Sequence, residues 1–401
     1  MRIAFEIAGG DTWQAGISYI KTFVYALEHT YGDDVALYFL LPSTNIPGDL
    51  SEAEGEVLEI AHYRQWTTPW IIEEAIKYGF LYDLRKTWVL KRHKIDVVFG
   101  LFLLNRFGRI PTLSWIPDFQ HIHLPEMFST SERGQRDSIF LRTAKISNRV
   151  ILMSQSVKKD FETFAPQYAG KAKVLQGVSQ IPESIYEADL KSVISLYHLP
   201  EKFVYLPNQF WKHKNHEMAF RAVKNLKERG EKVFVVCSGY PGDYRHPGYF
   251  AGLLHKISSW GIRDQVALLG MIPRNHIFML MRQAICVLNP SLFEGFGLTV
   301  DEARSLGKMV LLSDIAAHRE QDPPKAIYFD PYISEDLAER LGLIWREVEP
   351  GPDIELEFEA RSSLVGRIQA CAESFMSVAS EVTKQQGAAA GDSNTDTGIR
   401  K

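Results

Sequence analysis

The sequence predicts an α/β protein with two Rossmann-like parallel-sheet domains facing each other across a cleft. Three observations lead there. Short, branched apolar runs alternate with helical patterns through the first half; the same alternation restarts in the second half; and between them 179–200 holds Pro182 and Pro200 but no clear strand. Alternation of this kind places strands in parallel with helices on both faces. A length of 401 residues is ample for large cores in two or three domains.

Taken in order, the expected strands of the first half are 3–7, 35–41, 97–100, 112–116, 150–153 and 173–176, with helices notably at 19–29 and 135–147. Those of the second half are 203–206, 233–237, 266–269, 285–288 and 309–312. The domain bounds that follow are 1–180 and 181–350, then a helical stretch at 351–384. The segment 385–401 is polar and rich in Gly, Ala, Ser and Thr, which predicts a disordered tail.

Composition narrows the function. A formal net charge of -4 argues against generic nucleic-acid binding. Cys237, Cys286 and Cys371 are far apart, and the first two sit in apolar runs, as expected for buried thiols in a reducing compartment. The chain opens on a strand pattern rather than a signal peptide, and no uncharged apolar run is long enough to span a bilayer. A cytoplasmic protein is expected. The segment 60–94 mixes Trp66, Trp70, Phe80, Tyr82 and Trp88 with several Lys and Arg. Two readings stay open for it: peripheral contact with the inner face of an anionic membrane, or a half-buried helix with a solvated face.

The stretch most informative about chemistry is 289–303, Asn-Pro-Ser-Leu-Phe-Glu-Gly-Phe-Gly-Leu-Thr-Val-Asp-Glu-Ala. An apolar run stops at its start, and Val300, Ala303 and Leu306 share a helical face until Gly307. Strand, glycine-bearing loop and helix start therefore follow one another, the arrangement that binds ligands at the carboxyl edge of an open sheet. Amides at a helix N-terminus suit a phosphate, and Gly295 and Gly297 let a ligand approach the backbone. Glu294 and Glu302 bracket the turn and are suited to sugar and ribose hydroxyls. A plainer reading also exists, in which Thr299 and Glu302 form a capping box.

Pro-Ser-x-x-Glu-Gly-Phe-Gly-Leu-x-x-x-Glu-Ala, with seven residues between the glutamates, resembles the Glu-x7-Glu signature of retaining, nucleotide-sugar-dependent glycosyltransferases of the GT-B fold, family 4 type. The resemblance implies a hexose moved from a nucleotide diphosphate sugar to a glycan or lipid-linked acceptor, with no cofactor and no metal. Glu294 would hold the hexose and Glu302 the ribose. The backbone of Gly295, Phe296, Gly297, Leu298 and Thr299 would line the donor. Lys214 would face the donor diphosphate; Gln209 stands where the family has a second cation. Gly239 and Gly270, at two further strand ends, complete the donor side. The helix 351–384 would pack back on the first domain.

On the acceptor side, the loop holding Gly10, Trp13 and Gly16 follows the first strand, with Trp13 a candidate stacking platform. Asp118 matches the family aspartate, whereas Pro117 stands where its histidine is usual; His121 and His123 either take over that role or line the loop. Asp118, His121 and His123 can also be read as metal ligands, though the chain has no Asp-x-Asp triplet. Other readings on this architecture are a sugar-nucleotide epimerase, a phosphorolytic enzyme, and a non-catalytic nucleotide-sugar-binding partner subunit.

Overall fold

The computed structural model describes residues 1–7, 14–41, 55–59 and 68–395. The chain divides into two compact units. One comprises Met1–Phe119, Thr130–Val178 and Gly366–Lys401; the other comprises Gln120–Ser129 and Ser179–Val365.

The first unit holds a seven-stranded sheet of β1 (Arg2–Glu6), β2 (Ala36–Leu41), β3 (Glu56–Glu59), β4 (Val97–Leu101), β5 (Thr112–Trp115), β6 (Arg149–Leu152) and β7 (Ala172–Val174). Its order is β3-β2-β1-β4-β5-β6-β7, with every pairing parallel. The edge strand β3 escapes the sequence reading because Glu56 and Glu59 flank only two apolar residues. Phe5, Phe23, Phe99 and Phe375 form one aromatic cluster with ring centres 5.4–5.7 Å apart.

Phe375 comes from the C-terminal helix Ile354–Thr395, whose Glu381 also pairs with Arg149 at 2.6 Å and Lys173 at 2.8 Å. The helix therefore runs past residue 385, where the composition suggests a disordered tail. Ala388, Ala389 and Ala390 continue it, and alanine has the highest helix propensity.

The second unit holds β8 (Val204–Leu206), β9 (Val235–Cys237), β10 (Val266–Leu268), β11 (Val287–Asn289), β12 (Val310–Ser313) and β13 (Ala326–Phe329) in the order β10-β9-β8-β11-β12-β13, again all parallel. The order reverses between β8 and β11, which pair at Tyr205 and Val287. Chains leaving these two strands diverge to opposite sides and open a crevice at their carboxyl ends. Their loops are the Lys214 loop and the Glu294 loop. Both faces of the sheet are apolar: Leu206, Val235 and Leu288 are buried on one, and Tyr205, Val236 and Val287 on the other. Such two-sided burial explains the uninterrupted apolar runs of the sequence.

Candidate functional site

The site is built where β8 and β11 end. Asn208, buried just past β8, donates from Nδ2 to Asn289 Oδ1 at 3.1 Å and accepts from Thr299 Oγ1 at 3.2 Å. One side-chain amide thus ties both strand ends to the start of the helix Leu298–Ser305. Beyond Gln209, a 3-10 turn at Lys212–Lys214 ends on Asn215 in the left-handed region (φ 56). That turn presents Lys214, whose Nζ lies 2.6 Å from Glu294 Oε1. Ser291 Oγ stands within 2.6 Å of the same carboxylate oxygen. The two side chains that the resemblance assigns to the diphosphate and to the hexose are therefore in direct contact with each other.

Gly297 is the N-cap of Leu298–Ser305, with φ +88. A Cβ there would add left-handed strain and sit 3.3 Å from Gln321 Nε2 and 3.6 Å from His318. Gln321 Nε2 donates to the carbonyls of Phe296 and Gly297, which fixes the turn from behind. Thr299 consequently lies inside the first turn, and the capping box does not form. Its hydroxyl goes to Asn208, and Glu302 reaches Arg274 instead, at 2.6 Å. Asp301, also buried, accepts from the backbone N–H of Ser179 at 2.6 Å. Gly239 (φ +148) donates its N–H to the carbonyl of Gly270 at 2.8 Å. A Cβ on Gly239 would come 2.4 Å from the Asn208 carbonyl oxygen, so only glycine allows the β8 and β9 loops to close up.

Electrostatics separate the two glutamates. Burial pushes the Glu294 carboxyl up, but the Lys214 ammonium outweighs it and holds the group down at about 2. Burial also pushes Glu302 up, and there it wins against Arg274, helped by the charge of Asp301. Arg274 sits at the start of the helix Arg274–Gln283, 28 positions before Glu302, and no local spacing announces the pair.

The acceptor-side residues scatter. Gly10 and Trp13 lie outside the described residues. Gly16 is buried in the helix Gln14–Tyr31 of the first unit. Asp118 belongs to that unit too and pairs with Arg136 at 2.6 Å. His121 and His123, expected in domain 1–180, instead belong with the second unit. The reason is burial: Leu124, Met127 and Phe128 pack with Leu292 and Phe293. Arg245 adds a clamp, its guanidinium 4.4 Å from the Phe128 ring centre and 4.6 Å from that of Trp211, with Nη1 donating to Gln120 at 2.9 Å. His123 stacks on Phe293, the neighbour of Glu294, at 4.9 Å, while His121 is buried against the edge of Phe128. Among the described residues no group of three His, Cys, Asp or Glu side chains could hold a metal ion.

Residues 191–347 match the family model described as Glycosyl transferases group 1. Among curated proteins, the O-antigen chain mannosyltransferase RfbU of Salmonella typhimurium is 25% identical over 183 residues, which is 45% of this chain and 50% of that relative. The chain thus spans half the length of that relative. A glycosyltransferase from Rickettsia africae superposes with a TM-score of 0.67 at 16% identity, covering 96% of this chain and 98% of its own. Anabaena HepE, solved in complex with UDP and glucose, gives 0.64 at 16% identity, covering 97% and 100%. The fold is GT-B.

Three histidines in this GT-B unit stay neutral under ordinary conditions. Burial lowers His318, drives His216 down to about 3, and takes His213 well below the usual range. The His318 ring must donate from Nδ1 to the Ser313 carbonyl at 2.9 Å, which leaves Nε2 as a bare acceptor. Nε2 of His318, Oε1 of Gln321 and Nδ2 of Asn289 are buried with no hydrogen-bond partner among the described residues.

These histidines set a pH dependence of stability. Each folded pKa lies below the unfolded value near 6.5, so the unfolded chain binds more protons between the two, and stability falls as pH drops below 6.5. Each group contributes up to about 1.4 kcal/mol per pH unit in that window. Urea titrations at pH 7 and pH 5 should show this loss, and His216→Asn should lessen the difference between the two. An unchanged difference between pH 7 and pH 5 in His216→Asn would show that His216 is not held neutral.

Proposed function

We propose that the protein is a retaining glycosyltransferase of the family 4 type, moving a hexose from a nucleotide diphosphate sugar to a glycan or lipid-linked acceptor. The observation that carries this is the Lys214–Glu294 pair, 2.6 Å apart, beside the glycine-capped start of Leu298–Ser305. As the glycosidic bond breaks, negative charge gathers on the departing diphosphate. Lys214 and the amides of Gly297, Leu298 and Thr299 are suited to stabilise that charge. Once Lys214 turns to phosphate, Glu294 keeps its Ser291 partner and accepts from hexose hydroxyls. Glu302, steadied by Arg274, accepts from the ribose. The donor phosphate takes the acceptor proton, so no strong protein base is required. The buried polar atoms around Gly297 support a polar ligand there, since native proteins seldom leave such groups unserved. A thermal-shift screen of UDP-, GDP-, ADP- and dTDP-sugars tests the reading and names the donor. Stabilisation by none of them would sink it.

Transfer needs no metal in this scheme. Activity should persist in excess EDTA. Complete loss, restored by Mg²⁺ or Mn²⁺, would overturn that scheme and turn attention to Asp118, His121 and His123.

A cytoplasmic location with peripheral membrane contact belongs to the same proposal. No helix among the described residues is long and apolar enough to cross a membrane. Within 60–94, residues 60–67 lie outside the described part, but Phe80 is exposed shortly before the basic helix Leu84–Arg92, whose own Leu84 and Trp88 are exposed, with Arg92 over the Trp88 ring at 5.5 Å. Exposed rings beside cations suit an anionic lipid surface.

A further inference from the structure

A cavity on the same unit is lined in part by Asn215, next to Lys214, and by Leu292. The helices His216–Glu228 and Ser334–Glu347 pack together, and the face of the first from Glu217 to Asn225, the N-terminal end of the second and the turn after β13 line that cavity, of about 560 Å³. That volume suits a ligand larger than one sugar ring. The cavity opens at the carboxyl edge of the parallel sheet, where ligands of such folds bind.

Its chemistry is specific in class. Tyr332 lines it and is 72% exposed, a large aromatic surface that the fold itself does not bury. Around it stand Glu217 and Glu335 against Arg221 and Lys224, so opposite charges cancel and neither an anion nor a cation is favoured. Asn225 adds an amide, 3.2 Å from Ser334 Oγ and 3.3 Å from Glu335 Oε1. Arg221 and Glu217 hold each other at 2.8 Å, which sets a guanidinium and a carboxylate ready-oriented at the surface. A balanced set of planar donors and acceptors beside an open ring matches a neutral polyhydroxylated chain. Hydroxyls take the polar groups, and the polarised C–H face of a pyranose lies on the negative face of the ring.

We infer that this groove binds an oligosaccharide segment of the growing glycan, apart from the donor. Two wall residues link it to the chemistry: Asn215 directly follows Lys214, and Leu292 donates its N–H to the His213 carbonyl at 2.8 Å, two positions before Glu294. The use of the groove in chain growth rests on the proposed glycosyl transfer; its affinity for saccharide does not.

The test is affinity electrophoresis of the full chain through gels containing soluble mannan, dextran or galactan. At least one polysaccharide should retard the wild type. Tyr332→Ala and Asn225→Ala should weaken that retardation several-fold, Tyr332→Phe should keep it, and nucleotide binding by calorimetry should be unchanged in all three. Tyr332 is exposed, so its replacement leaves folding intact, which a melting curve checks. Retardation by none of the three polymers, or equal retardation of wild type and Tyr332→Ala, would overturn the inference. Saccharide binding with no binding of any nucleotide would keep the groove and sink the transferase reading instead.

Discussion

Lys214→Ala should lower turnover with the native donor by about 100-fold or more, because one preorganised charge on a developing anion is worth that much. The structure complicates the experiment, since Lys214 also neutralises Glu294 at 2.6 Å. The Glu294 carboxylate is only 10% exposed, and it owes its low pKa of about 2 to the lysine. The single variant therefore strands a carboxylate as well as removing a cation, and the two effects must be separated. The double variant Lys214→Ala/Glu294→Gln does so. If the lysine served only to balance the glutamate, the double variant would turn over no more slowly than Glu294→Gln alone, as coupled neighbours do. If it stabilises the departing diphosphate, the double variant falls well below Glu294→Gln. Turnover of Lys214→Ala within a few fold of wild type removes the phosphate role altogether. A melting curve on each variant checks that the loss is not one of folding.

The sheets were legible in the sequence because their strands are buried on both faces. Val287 and Leu288 have no polar alternation to obscure them, whereas β3, with two apolar residues between glutamates, gave no such signal. The strand, loop and helix around Glu294 were legible because Gly297 and the Val300–Ala303–Leu306 face mark a turn and a helix locally. Partners distant in the chain were not. Lys214 and Glu294 are 80 positions apart and Arg274 and Glu302 are 28, and only the β8–β11 reversal and the loop after β10 bring them together. Thr299 and Glu302 show the opposite failure. Their spacing reads as a cap, but Gly297 takes the N-cap position and frees both side chains for other partners. Segment 120–129 went to the wrong unit in the sequence reading for a similar reason, since the apolar surface of Leu292 and Phe293 that holds it lies far along the chain.

The two glutamates should respond differently to the same chemical change. With the cap excluded, Glu302 is left with Arg274 and the proposed ribose. Glu302→Gln keeps the shape and an acceptor oxygen but loses the charge. Hydrogen bonds to charged groups contribute about 1.5–3 kcal/mol against about 1 for neutral ones, so affinity for the free nucleotide diphosphate should fall by roughly tenfold. Arg274→Ala should weaken the same binding, because the buried Glu302 carboxyl, already raised above its usual range, then loses the cation that favours its charged form. That variant should bind nucleotide better as pH rises, a dependence that a purely structural Arg274 would not produce. Glu294, on the hexose side, should behave otherwise. Glu294→Gln is expected to bind the free nucleotide diphosphate almost as wild type does while transfer from the full donor drops sharply. Calorimetry with nucleotide and with nucleotide sugar on both variants decides the matter. Wild-type nucleotide affinity in Glu302→Gln, or lost nucleotide affinity in Glu294→Gln, would mean that these carboxylates do not divide ribose and hexose between them.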